Sequence, residues 1–263
     1  MRRSPSFSFA PLALALGTAA GLLLAAPAAA DYRLEKDLAL APGGELVVET
    51  AGGSVTVTGG PGTGAHVVVT SDRDRADVEE RYTFDFTAEP GRVKIVNKRR
   101  SQFSSWFNWR GMALHFEIQV PRQTRVDLQS SGGGLRVSNL DGDAKLRSSG
   151  GAVRAFDLVG RVDASSSGGG VDVRRVRGNV RVGSSGGGVD VVQIIGDVAA
   201  ESSGGGVDVS EVTGAVDASS SGGGVHLEKI GGRVTAESSG GPVSAELLAD
   251  NAAGGHFSSS GGG

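Results

Sequence analysis

The side chains with chemistry to offer are Asp172, Asp190 and Asp208, each one place after a Ser-Gly-Gly-Gly-Val run and evenly spaced along the chain. Carboxylates recurring beside glycine turns are one way for a repeating chain to gather Ca²⁺ ligands, of which six to eight are needed. Two carboxylates in unlike surroundings are also what a carbohydrate-cleaving enzyme uses as its acid and its base. The pattern falls short of both. Asp fills three of seven equivalent places, and the half-turn column where it should recur reads Lys145, Asp163, Arg181, Ala199, Asp217 and Thr235. The expectation is a solvated outer column, with no metal site and no catalytic residue. His66, His115, His226 and His256 are scattered without ligand spacing, so abundant serine does not become a Ser-His-Asp triad and no cofactor is expected.

A second constellation is Lys98-Arg99-Arg100-Ser101-Gln102-Phe103-Ser104-Ser105-Trp106-Phe107-Asn108-Trp109-Arg110, which holds both tryptophans of the chain. Basic residues among aromatics suit a membrane surface, an anionic glycan or a protein groove. The candidate binding patch is therefore Arg99, Arg100, Phe103, Trp106, Phe107, Trp109 and Arg110. The competing reading makes these rings a hydrophobic cap. The serine pairs, from Ser148-Ser149 to Ser238-Ser239, would stack as two ladders. They read either as a hydroxyl array or as a corner whose hydroxyls satisfy turn backbone, and the flanking glycines favour the corner.

The element that must position all of this is a repeat. Ser-Gly-Gly returns at Ser131, Ser149, Ser167, Ser185, Ser203, Ser221 and Ser239, at one constant interval. Numbering each unit from that serine, the fifth column runs from Leu135 to Val243 and the seventh from Val137 to Ala245, both aliphatic. The sixth between them is Arg136, Arg154, Asp172, Asp190, Asp208, His226 and Ser244. This is a strand with one buried face. The aliphatic tenth column, Leu140 to Leu248, and the inward fourteenth and sixteenth columns supply a second strand. Glycine in the third and twelfth columns marks two corners needing positive φ or close backbone approach. A unit this small buries its apolar side only against its neighbours. The fold class expected is therefore all-β, a single-chain parallel β-solenoid of 18-residue rungs over residues 131–263.

Residues 31–130 lack the period but keep period-two strands separated by Gly and Pro turns, and Gly52-Gly53-Ser54-Val55-Thr56-Val57 resembles a degenerate rung. They are expected to cap and start the solenoid as an irregular β segment. Residues 1–30 read as a signal peptide, with Arg2 and Arg3 ahead of an uncharged apolar run and an Ala28-x-Ala30 cleavage site. That run is shorter than a membrane span, so no transmembrane segment is expected after cleavage and the chain is expected outside the cytoplasm, periplasmic or secreted. What then remains carries 24 basic against 29 acidic residues and no Cys. This leaves no basic excess for nucleic acid and no disulfide.

The export signal, the Gly-Gly-Ser-Val-Thr-Val near the start of the β segment, and the tandem Ser-Ser-Gly-Gly-Gly-Val-x-Val units resemble the bacterial putative-adhesin family of envelope and secreted proteins. The resemblance covers nearly all of residues 31–263. It implies a β-solenoid and an adhesin-like role, and it carries over no catalytic residues. The 167, 185 and 203 units also resemble, in part, the Gly-Gly-x-Gly-x-Asp coils of Ca²⁺-binding β-rolls, with serine in place of the first glycine. The function expected is a non-enzymatic binding module whose partner is an envelope protein or a surface glycan; the alternative is a carbohydrate-active β-helix enzyme using the Asp column. The last unit outruns the period before Ser258-Ser259-Ser260-Gly261 begins another. The expectation there is either a sequence that lacks its natural end or end-to-end self-association through an open solenoid edge.

Overall fold

The computed structural model describes residues 32–100, 113–249 and 251–262. The signal peptide read over residues 1–30 lies outside these, as do Phe103, Trp106, Phe107, Trp109, Arg110 and Asp250.

The chain is a β-solenoid of two facing sheets, each of eleven strands. In the regular part every rung contributes one strand to each sheet. The pairs are β8 (Arg125–Ser130) and β9 (Leu135–Asp141), β10 (Ala144–Ser148) and β11 (Val153–Val159), β12 (Val162–Ser166) and β13 (Val171–Arg177), and β14 (Val180–Ser184) and β15 (Val189–Ile195). They continue with β16 (Val198–Ser202) and β17 (Val207–Val212), β18 (Val216–Ser220) and β19 (Val225–Ile230), and β20 (Val234–Ser238) and β21 (Val243–Leu247), after which β22 (Gly255–Ser259) pairs with β20. Pairing is parallel and shifted by one period, so Val153 faces Val171 and Val162 faces Val180. Ten intervals of ~4.8 Å make each sheet about 48 Å long.

The columns expected to face inward do so as far as Ala236, but in the last unit Ala245 is exposed and Val243 only half-buried. From Leu135 to Ala236 the fifth, seventh, tenth, fourteenth and sixteenth places are buried, joined by the serine of the eighteenth. The step from seventh to tenth skips two residues rather than one. The ninth residue absorbs it: Asn139, Asp157, Arg175, Gln193, Glu211 and Lys229 all have φ between 54° and 60°. A left-handed residue there bends the strand, so both sides of the step point inward. Each non-glycine in that conformation costs roughly 1–2 kcal/mol. The stacked neighbours hold it in place, helped by ion pairs that run from rung to rung, Arg175 to Asp157 at 2.6 Å and Lys229 to Glu211 at 3.7 Å. The strand β21 lacks this residue, so Leu247, and not Leu248 as the column count expects, pairs with Ile230, and Leu248 is left exposed.

The two glycine corners differ. In the twelfth column Gly160, Gly178 and Gly196 adopt positive φ. In the third the need is proximity: a Cβ on Gly187 would lie 2.5 Å from the Gly170 nitrogen of the rung before.

Residues 32–100 and 113–121 build the other end. The strands β2 (Glu45–Thr50) and β3 (Ser54–Gly60) form a full coil that pairs in parallel with β8 and β9, Val55 lying against Leu135 as the degenerate rung suggests. A later coil, β6 (Arg92–Arg99) and β7 (Leu114–Pro121), stacks on the far side of that one. Spatial order therefore departs from chain order, and the Arg122–Thr124 link passes over the β2–β3 coil. There the Arg122 N–H donates to the Gly60 carbonyl and the Gly43 N–H to that of Gln123. Antiparallel strands close this end: β1 (Tyr32–Leu38) and β4 (Ala65–Ser71) on one sheet, β5 (Tyr82–Glu89) on the other. The sequence offers no sustained helical spacing, yet one short helix, α1 (Arg75–Arg81), precedes β5. Asp74 caps it by accepting the Asp77 N–H at 2.8 Å, and Val78 beneath it is fully buried. So short a helix does not register as a period.

Candidate binding surface

The two serine ladders are unequal. The eighteenth-place serines, Ser130 to Ser238, are buried and do one job. Ser148 Oγ accepts the Gly151 N–H and donates to the Gly133 carbonyl of the preceding rung, both at 2.9 Å, and the same pair of bonds recurs at Ser166, Ser184, Ser202, Ser220 and Ser238. The corner reading therefore holds for this ladder. The other ladder, Ser131 to Ser239, is exposed. The buried ladder runs on into the irregular coils, where Thr50 faces Ser130 and Asn97 faces Thr50, both buried and joined at 3.1 Å. Neither residue is a serine and neither stands in a repeat unit, so the period alone does not point to them.

The column one place on is thereby continued too. Ala51 donates its N–H to Asn97 as Ser131 does to Thr50 and Ser149 to Ser130, so Lys98 stands to Asn97 as Ser149 stands to Ser148. Lys98 and Arg99 border a groove of 550 Å³ whose other walls include Ser131, Ser149, Ser167 and Arg147. Of the candidate patch, Arg99 and Arg100 lie within the described residues, exposed at the end of β6, and Arg99 lines this groove.

The Asp column stacks in register, Asp172 on Asp190 on Asp208. The three are not equivalent, contrary to what the sequence suggests. Arg174 bridges two of them, donating from Nε to Asp172 and from a terminal nitrogen to Asp190, each at 2.6 Å. Burial, with Asp172 and Asp208 on either side, holds the Asp190 carboxyl above the usual carboxylate range, and Arg174 offsets this only in part. The hydrogen bond from Arg175 draws Asp157 the other way. Among the described residues no group of three or more His, Asp or Glu is placed to hold a metal ion. Three of the four histidines have separate partners, His66 with Asp37 at 2.7 Å, His115 with Ser54 at 2.7 Å and His226 with Ser244 at 2.8 Å.

Three other grooves mark the surface. One of 470 Å³ lies over Ala199 and Ala215 between Arg181 and Arg233. Another of 610 Å³ follows the ninth-column bend beside the exposed Val159 and Ile195. The third, of 750 Å³, lies between Leu38–Pro42 and Gly60–His66 at the closed end. None of the four is lined by the Asp column. Among the described residues no helix is long and apolar enough to cross a membrane.

No protein-family model and no curated protein matches the chain. The chain is similar to several solved structures. A putative adhesin from Bacteroides fragilis is 15% identical, over 87% of this chain and 97% of its own, with a TM-score of 0.46. One from Parabacteroides merdae is 9% identical over 86% and 95%, with a TM-score of 0.38. A putative lipid binding protein from Parabacteroides distasonis is 12% identical over 87% and 94%, with a TM-score of 0.35.

Proposed function

We propose that the protein is a non-enzymatic, adhesin-like binding module of the bacterial envelope, exported by the segment ahead of Asp31 and cleaved after Ala30. The observation that carries this reading is the exposed run Lys98-Arg99-Arg100 beside a groove on a rigid scaffold. None of the three has an ion-pair partner among the described residues, whereas the neighbouring Lys94 and Arg92 are paired with Glu49 and Glu45. Cations without a partner on an ordered strand are available to a ligand. A solenoid suits the role, since each added coil extends the surface rather than building a cleft.

The enzymatic alternative needs two carboxylates free to reach substrate. Here Arg174 engages both Asp172 and Asp190, and none of the four grooves described above is lined by either.

The test is a glycan array together with recovery from envelope extracts, using the chain from Asp31 onward and its Arg99→Glu/Arg100→Glu variant. Retention by a defined glycan or one envelope protein, lost in the variant, supports the reading. No specific retention, or release of saccharide products over time, overturns it.

A further inference from the structure

Resting on the binding-module reading, we infer that the exposed serine corner is a track for an acidic, uronate-bearing polysaccharide, entered at the Lys98–Arg99 end. Three features converge in the 550 Å³ groove.

The first is charge. Its cationic lining is Lys98, Arg99 and Arg147, and Arg147 reaches Asp163 only at 3.8 Å. Its one carboxylate, Glu49, is already bound by Lys94 at 2.8 Å. The groove therefore presents positive charge in a protein whose formal net charge is −3.

The second is donors. Ser131, Ser149 and Ser167 are exposed, and no bond to a described residue ties up their hydroxyls, because the structural work of the corner belongs to Ser130, Ser148 and Ser166. The amide N–H groups of Gly132, Gly150 and Gly168, one place on, likewise have no backbone acceptor among the described residues. Each rung thus offers a hydroxyl and a free N–H, a pairing suited to sugar hydroxyls and ring-borne carboxylates.

The third is period. Rungs repeat every ~4.8 Å, close to the advance of one sugar ring in an extended chain, so successive residues of a polymer can meet equivalent donors. A small anion would need only one rung, and a folded protein partner would not repeat at this interval.

The test uses calorimetric titration of the same protein with oligogalacturonate, dextran, dextran sulfate, and vesicles of equimolar phosphatidylcholine and phosphatidylglycerol. Oligogalacturonate is expected to bind, more weakly as salt rises. Lys98→Glu/Arg99→Glu should lower affinity about tenfold or more, and Ser149→Val/Ser167→Val severalfold without changing Tm, since both serines are exposed. Arg233→Glu, eight rungs from Arg99, should change nothing. The inference is overturned if dextran binds equally, if binding follows charge alone so that dextran sulfate is preferred and Arg233→Glu is as harmful as Arg99→Glu, or if only the vesicles bind. Failure of all four probes while the glycan array or the envelope extract still yields a ligand defeats this inference alone. No specific retention from either defeats the binding-module reading with it.

Discussion

Ser184 and Ser185 are adjacent, chemically identical, and on opposite sides of the corner, which makes them a sharp probe of the architecture. Ser184 is 6% exposed, and its hydroxyl links two rungs by accepting from Gly187 and donating to Gly169 at 2.9 Å. Alanine there removes both bonds and leaves an N–H and a carbonyl of a half-buried corner without protein partners. At about 1 kcal/mol per bond the loss is ~2 kcal/mol. A chain of this size loses about 2–4 °C in Tm per kcal/mol, so Ser184→Ala should melt ~4–8 °C below the parent. Ser185 is exposed and bonds to no described residue through its side chain, and Ser185→Ala should fall within about 0.5 kcal/mol of the parent. Thermal melting followed by far-ultraviolet circular dichroism reads both. Equal shifts, or a larger one for Ser185→Ala, would refute the assignment of one ladder to structure and the other to solvent.

Val191 is fully buried and its neighbour Asp190 points outward, so Val191→Asp should unfold several rungs together, at a cost of several kcal/mol, in a urea titration. Asp190→Asn should do the opposite on a small scale. A carboxyl held above its usual range stabilises the fold while protonated and loses that contribution as pH rises through its folded value. The Asn variant should therefore melt slightly higher than the parent at neutral pH, by under about 1 kcal/mol, with the gap closing as pH falls into the carboxylate range; a loss at neutral pH would count against the stacked-charge account. Gln193→Val should cost more than ~1 kcal/mol because a β-branched residue is poorly tolerated at φ 60°, whereas Gln193→Gly should be tolerated, and the reverse order in melting would contradict the ninth-column bend. Millimolar Ca²⁺ should leave Tm unchanged, since binding would raise it by mass action; a rise of several degrees abolished by Asp172→Asn/Asp190→Asn/Asp208→Asn would reinstate a cation site.

The regular rungs were legible because each inward column repeats the same few aliphatic residues seven times, and a stacked fold translates that repetition directly into register. What the residues did not declare were features set by neighbours in space. The left-handed ninth column is filled by Arg, Gln, Glu and Lys among others, whose types give no warning of positive φ; the only trace is the three-place step between seventh and tenth inward positions. The two serine ladders look alike because a hydroxyl's role at a corner depends on which side of the chain it leaves. Lys98 could be placed at the head of the serine corner only once Asn97 was seen to occupy a serine's place, a correspondence invisible without the pairing of β6 to β2. The stacking of the 92–121 coil beyond the 45–60 coil has no sequence marker at all, since both contain ordinary period-two strands.

That inverted stacking has a kinetic meaning. In the regular rungs each strand pairs with its counterpart one period away, Ala144 with Val162 and Val153 with Val171, which is a short loop to close. The β2–β3 coil must instead wait for far later partners, Glu45 for Arg125 on one side and Ser54 for His115 on the other. Contacts so distant are slow to form, because chain entropy is lost before the contact repays it. As the chain is synthesised, its first coil therefore cannot seed the rod. Assembly is expected to wait for the pairing of β2 and β3 with β8 and β9 and then to zip the identical rungs quickly. Substitutions at Val55 or Leu128 should slow refolding, whereas those at Val216 or Ala236 should mainly hasten unfolding.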